Sequence, residues 1–190
     1  IWVATHEGGL TRFSAAGEVT RAYRPDPADL RAIANVRITC LFDLNDSILM
    51  IGAQRTPVIY LNKRTGLFTY WSGYGPMIPS AALTKPVGGN DWCNYISDIG
   101  DGRLAIGFLL GHKQWFVDRA SGAVTGAAFH MEKPTDQTIV DALRIDDRLY
   151  GAGWQHHLHI HDLAANTETT WSTSDECTVL LRDDCLHLLA

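Results

Sequence analysis

"IWVATHEGGLTRFSAAGEVTRAY" (residues 1–23) decides the fold. An apolar run meets a turn at "HEGG" (6–9), and a second run closes on Phe13. A further turn, "AAGE" (15–18), then leads into a third run ending at Tyr23. Short apolar runs punctuated by glycine-bearing turns read as antiparallel strands joined by hairpins.

The pattern recurs. It returns as "DLNDSILMIGAQRTPVIYLNKRTGLFTYW" (43–71), "DIGDGRLAIGFLLGHKQWFVDRASGAVTGAAF" (98–129) and "RIDDRLYGAGWQHHLHIHDLAANTETTW" (144–171). A partial copy, "LRDDCLHLLA" (181–190), ends the chain. Trp2, Leu49, Leu104, Leu149 and Leu186 occupy equivalent places, at steps of 47, 55, 45 and 37 residues. A period of about 40–50 residues with several short strands per unit is the signature of a propeller blade. Within each unit an acidic turn follows the first strand: "LNDS", "IGDG", "IDDR", "RDDC". Asp, Asn and Gly tolerate the positive φ that tight hairpins require.

The expected fold is therefore an all-β propeller fragment over 1–190, built from four-stranded antiparallel blades. Its segments fall near 1–23, 37–71, 93–129, 137–171 and 176–190. Three are full blades; the first lacks its opening strand and the last has only two, which makes seventeen strands. "DPADLRAIAN" (26–35) is the one stretch with room for a helical turn or two. The chain opens in mid-strand without Met, so we read it as a piece of a longer ring or an open arc with exposed edges, which invite pairing.

Composition sets the class. Of the 190 residues, 46% are apolar and 19% charged, which suits a packed core rather than disorder. The net charge of −5 gives no basis for nucleic-acid binding, which needs a basic surface. The longest apolar run, "LAIGFLLG" (104–111), is glycine-broken and far short of a membrane span. Cys40, Cys93, Cys177 and Cys185 include no CxxC pair, so free thiols in the core are expected; Cys40, Val140 and Cys177 share one place in their first strands.

The stretch "IWVATHEGGLTRF" (1–13) resembles the two-component regulator propeller repeat, through Ile1, Trp2, Thr5, Gly8, Gly9, Leu10 and Phe13. "LNKRTGLFTYW" (61–71) and "VDRASGAVTGAAF" (117–129) resemble the later half of that repeat, whereas "GWQHHLHIHD" (153–162) departs from it. The resemblance implies the periplasmic sensor part of a bacterial hybrid histidine kinase that detects oligosaccharides. The matching residues fix turns and stacking; they do not select a ligand.

In this wiring, the loops after each second strand and those between blades share one rim. Binding groups concentrate on loops held by a rigid scaffold. His6, Glu7, Arg55, Asp91, Trp92, Trp154 and Gln155 supply flat aromatic faces and forked polar groups there, and are the candidate ligand-binding residues. The loop at 72–92 is 21 residues long, beyond the usual connection length, and is expected to be either a functional cover or a mobile segment. No cofactor is expected. The expected partners are an oligosaccharide or other small ligand, the remaining parts of a longer protein, and a second copy in a homodimer.

"WQHHLHIHD" (154–162) carries the alternative reading. His157, His159 and His161 alternate on one strand face, and imidazoles ligate metals. His157 and His159 would be the metal pair of a polysaccharide lyase or hydrolase. His161 instead aligns with Phe13, Leu61 and Val117, a packing position between blades. No nucleophile elbow or phosphate-cradling loop is present. A non-catalytic interaction scaffold is the third reading.

Overall fold

The computed structural model describes residues 1–26, 29, 32–33, 37–56, 58–71, 78–79, 92–108, 114–128, 139–153, 157–172, 179–182 and 186–189. These residues form an all-β propeller architecture of five antiparallel sheets. The chain divides into two compact units, Ile1–Cys93 and Asn94–Ala190.

The first unit begins with a three-stranded meander, β1 (Trp2–Thr5), β2 (Gly9–Phe13) and β3 (Val19–Tyr23). A five-stranded sheet follows: β4 (Ile38–Asn45), β5 (Ile48–Ala53), β6 (Ile59–Asn62), β7 (Phe68–Tyr70) and β8 (Ile78–Pro79). The second unit holds two four-stranded meanders. One is β9 (Cys93–Gly100, whose first residue closes the first unit), β10 (Arg103–Phe108), β11 (Gln114–Asp118) and β12 (Val124–Ala128). The other is β13 (Ile139–Ile145), β14 (Arg148–Gly153), β15 (His157–Asp162) and β16 (Thr167–Ser172). A hairpin of β17 (Val179–Arg182) and β18 (Leu186–Leu189) completes it.

The partial first and last sheets and the three full blades are those expected from the repeat. The described residues hold eighteen strands rather than seventeen, because β8 adds a fifth strand to the second blade. The 72–92 segment is thus not all loop: Ile78 pairs with Tyr70 and Pro79 with Thr69. Around 26–35 the described residues form isolated turns, with Asp29 N donating to Asp26 O and Ala32 N to Asp29 O, and no helix.

Turn chemistry explains the meanders. Gly100, Asp101 and Gly102 all have positive φ (76°, 53° and 70°), and Asp146 does too at 51°. The turn after each third strand has a second device. Asn62 Oδ1 accepts from the Arg64 and Thr65 amides, both at 3.0 Å. Asp118 Oδ1 accepts from Ser121 N at 2.7 Å, and Asp162 Oδ1 from Ala164 N and Ala165 N at 3.0 and 2.8 Å. A short side-chain acceptor that satisfies amides two and three residues on pre-forms the reversal.

Each unit has its own core. In the first, Leu10, Leu49, Leu61 and Phe68 are buried together, and Tyr23 meets Phe68 edge-on with ring centroids 5.3 Å apart. In the second, Ile99, Ala105, Phe116, Ile139 and Leu149 form the buried cluster. The repeat leucines Leu49, Leu104 and Leu149 are all buried, which is why that place resists polar residues.

Side chains of first strands also bond across blades. Thr39 Oγ1 donates to the Cys93 carbonyl. Asn94 Nδ2 donates to Ile139 O at 3.2 Å, and Ser97 Oγ donates to Ala142 O at 2.8 Å. Glycine permits close packing beside these strands. A Cβ on Gly107 would lie 2.1 Å from Cε1 of Tyr95, so the ring occupies the space a side chain would need.

Candidate functional site

The first unit brings together part of the expected rim. β1 ends at Thr5, and the turn 6–8 projects His6 and Glu7 into solvent. Gly8 is required there: its amide donates to Thr5 Oγ1 at 2.8 Å, and a Cβ would lie 2.3 Å from that oxygen. Gly9, with φ 78°, turns the chain back into β2. Beyond the end of β5, Gln54 is buried, and its Nε2 lies 3.0 Å from Nε2 of His6. The His6 tautomer with Nε2 unprotonated accepts from that amide N–H.

Gln54 forms an isolated antiparallel bridge with Trp92, so the two residues stand directly opposite one another. Trp92 is half-buried. Arg55 is exposed and has φ 57°, a left-handed conformation unusual for a residue other than glycine. Thr56 follows, with a buried hydroxyl that has no hydrogen-bond partner among the described residues. His6, Gln54 and Trp92 are thus brought together, and Arg55 and Thr56 follow Gln54 in the chain.

Gln54 and Thr56 escaped the sequence reading, which picked out their neighbour Arg55. The available signal was positional, since both follow a second strand whose equivalents enter rim loops. Glu7 lies on the same turn as His6, exposed. Asp91, Trp154 and Gln155 lie outside the described residues.

The histidine strand has a different character. His159 is buried, and its Nδ1 lies 3.1 Å from Thr170 Oγ1 on the paired strand. His161 is also buried; its Nδ1 is 3.3 Å from a Glu168 carboxylate oxygen, and its ring meets Phe116 edge-on at 5.7 Å. His161 therefore packs against the neighbouring blade, as its alignment with Phe13 and Leu61 suggested. The backbone of His157 pairs with Gly153 and Ser172. Among the described residues no group of three or more His, Cys, Asp or Glu is arranged to hold a metal ion.

A second recess lies within the second unit, a cleft of about 350 Å³ lined by Arg103, Phe116, Thr125, His161 and Asn166 among others. Its cation is already engaged: Arg103 sits over the Phe116 ring at 5.8 Å and 3.6 Å from Asp101. The sequence gives little warning of this cleft, because its lining comes from strand positions that look like ordinary packing.

No family model and no curated protein matches the sequence. Solved structures do match the fold. The extracellular domain of the hybrid two-component system BT4673 from B. thetaiotaomicron has a TM-score of 0.70 at 17% identity, over 98% of this chain and 24% of that one. The extracellular domain of the hybrid two-component system BT3049 from the same organism has a TM-score of 0.56 at 16% identity, over 96% of this chain and 29% of that one. Sqt1 from Saccharomyces cerevisiae has a TM-score of 0.65 at 12% identity, over 95% of this chain and 47% of that one. The chain thus spans about a quarter of the length of the BT4673 domain. The sensor domains among these are the group that the repeat in residues 1–13 resembles. At these identities the likeness shows the propeller fold, which hosts many functions.

Proposed function

We propose that this chain is part of a non-catalytic, ligand-sensing propeller, the extracytoplasmic portion of a two-component signalling sensor, and that its ligand is a carbohydrate. The observation that carries this reading is the meeting of His6, Gln54 and Trp92 in the first unit, with Arg55 next to Gln54 in the chain. An indole offers a flat face to a sugar ring. The carboxamide, imidazole and guanidinium fork to neighbouring hydroxyls, and partly apolar sites with a few convergent polar groups are what small ligands use. Glu7 on the same turn and Asp91, next to Trp92 in the chain, are proposed to extend this surface, and Trp154 and Gln155 are proposed as ligand-binding residues of the second unit. The resemblance of residues 1–13 to sensor repeats, and the fold shared with the BT4673 and BT3049 domains, support the signalling context.

Binding would act by shifting the packing of this piece against the rest of a longer protein or against a second copy. A ligand moves such an equilibrium only by its unequal affinity for the two states. The test is thermal unfolding with a panel of oligosaccharides, with and without EDTA. Specific ligands raise the midpoint by mass action. A saccharide-dependent rise that survives EDTA and is lost in Trp92→Ala is the expected result. No rise with any saccharide, or one that needs a divalent metal, overturns the reading.

A further inference from the structure

Gly52 on β5 sits beneath two thiols. A Cβ built there would lie 2.4 Å from Sγ of Cys40 and 2.9 Å from Sγ of Cys93. Two atoms that close to one point can be no farther apart than those two distances laid end to end. Rotation about a Cα–Cβ bond sweeps a sulfur through such a gap. The backbones are already tied at this place: Cys40 is the register partner of Gly52, and Thr39, next to Cys40, donates its hydroxyl to the Cys93 carbonyl. Both cysteines are in the thiol state in this structure, Cys93 buried and Cys40 half-buried.

We infer that Cys40 and Cys93 are a disulfide-forming pair, and that Gly52 is the residue that leaves room for their sulfurs to meet. No residue larger than glycine fits under both sulfurs without displacing one. The pair is separated by 53 positions in the chain, so neither hairpin logic nor a CxxC motif could reveal it. The inference is independent of the proposed ligand.

The chemistry needs a disulfide donor, such as oxidised glutathione or the catalytic disulfide of an oxidase. Cys40, the more accessible thiol, attacks as thiolate on one donor sulfur. The donor S–S bond breaks, one donor thiol leaves, and a mixed disulfide forms on Cys40. The Cys93 thiolate then attacks Sγ of Cys40 and expels the second donor thiol. Two protein thiols are oxidised, one donor disulfide is reduced to two thiols, and the two protons leave with them. The product closes a loop containing β5 to β8 and links the two residues flanking Gly52 covalently.

The test uses the unsubstituted 190-residue chain treated with oxidised glutathione, then denatured, alkylated and mapped as peptides without reduction. The expected result is a peptide pair joined through Cys40 and Cys93. It should persist in a Cys177→Ser/Cys185→Ser chain and disappear in Cys40→Ser. The unfolding midpoint should rise by roughly 5–15 °C on oxidation and fall back with dithiothreitol. Recovery of both residues as alkylated thiols, Cys40 held only as its glutathione adduct, or joining of either to Cys177 or Cys185 overturns the inference. The peptide map of the unsubstituted chain decides this even if a serine variant fails to fold.

Discussion

The Ser97 hydroxyl donates a 2.8 Å hydrogen bond to the Ala142 carbonyl, from one first strand of the second unit to the next. Ser97 is 1% exposed, so water cannot replace it. Ser97→Ala leaves that carbonyl short of a buried donor. It should destabilise the chain by about 1–3 kcal/mol, read from denaturant unfolding. A change within error would mean the carbonyl is satisfied elsewhere.

Gly107 and Gly102 are glycines for different reasons, and their alanine variants should separate them. Gly107→Ala drives a methyl into the Tyr95 ring, which is 4% exposed and has little room to move. The expected loss is about 1–3 kcal/mol, reduced when Tyr95→Val is added. Gly102 has open space around it but φ 70°, so Gly102→Ala should cost about 1–2 kcal/mol through backbone strain, with no dependence on Tyr95.

The Asp162 carboxyl is held below the usual carboxylate range, chiefly by the Ala165 amide and then by the Ala164 amide and Arg148. A carboxyl whose folded value is depressed adds stability above its unfolded value of about 3.9 and loses it as pH falls through the folded value. Asp118 and Asp101 are lowered too, by hydrogen bonds from Ser121 and from Arg144 respectively. Acid unfolding should therefore set in below about pH 4. Asp162→Asn, which keeps an acceptor oxygen for the turn, should flatten part of that dependence. An unchanged acid profile in the Asn variant would exclude the turn as its source.

His6 is hydrogen-bonded to the buried Gln54 carboxamide, so His6→Ala should destabilise the chain by about 1 kcal/mol, read from denaturant unfolding. If the Gln54 cluster binds saccharide, the same variant should weaken binding about tenfold, a loss of roughly 1.4 kcal/mol measured by calorimetric titration. Wild-type affinity in the variant would place the ligand elsewhere, with the cleft beside Arg103 and Phe116 the next surface to probe.

The blades were legible because each was written several times. Leu49, Leu104 and Leu149 mark the same buried place, and the acidic turns ahead of Ile48, Arg103 and Arg148 announce their hairpins. β8 was hidden because two residues show no alternation and one of them is proline. The partnership of Gln54 with His6 spans 48 positions and joins residues on different blades, so no local spacing encodes it. The bonds from Thr39, Asn94 and Ser97 were equally silent, since a small polar residue in a first strand looks the same whether it faces water or a carbonyl.

The added strand β8 changes the fate of the sheet edge it covers. Its pairing with Thr69 and Tyr70 shields the outward rim of β7, and Pro79 has no amide hydrogen to extend a ladder. A neighbouring chain that approached this rim would meet a strand already saturated on one side and poor in donors on the other. In deuterium-exchange terms, the amides of β7 should exchange more slowly than those of β3, whose outer rim carries no such cover among the described residues. Among the described residues, resistance to edge-to-edge association is thus greater at the outer rim of the second blade than at that of the first.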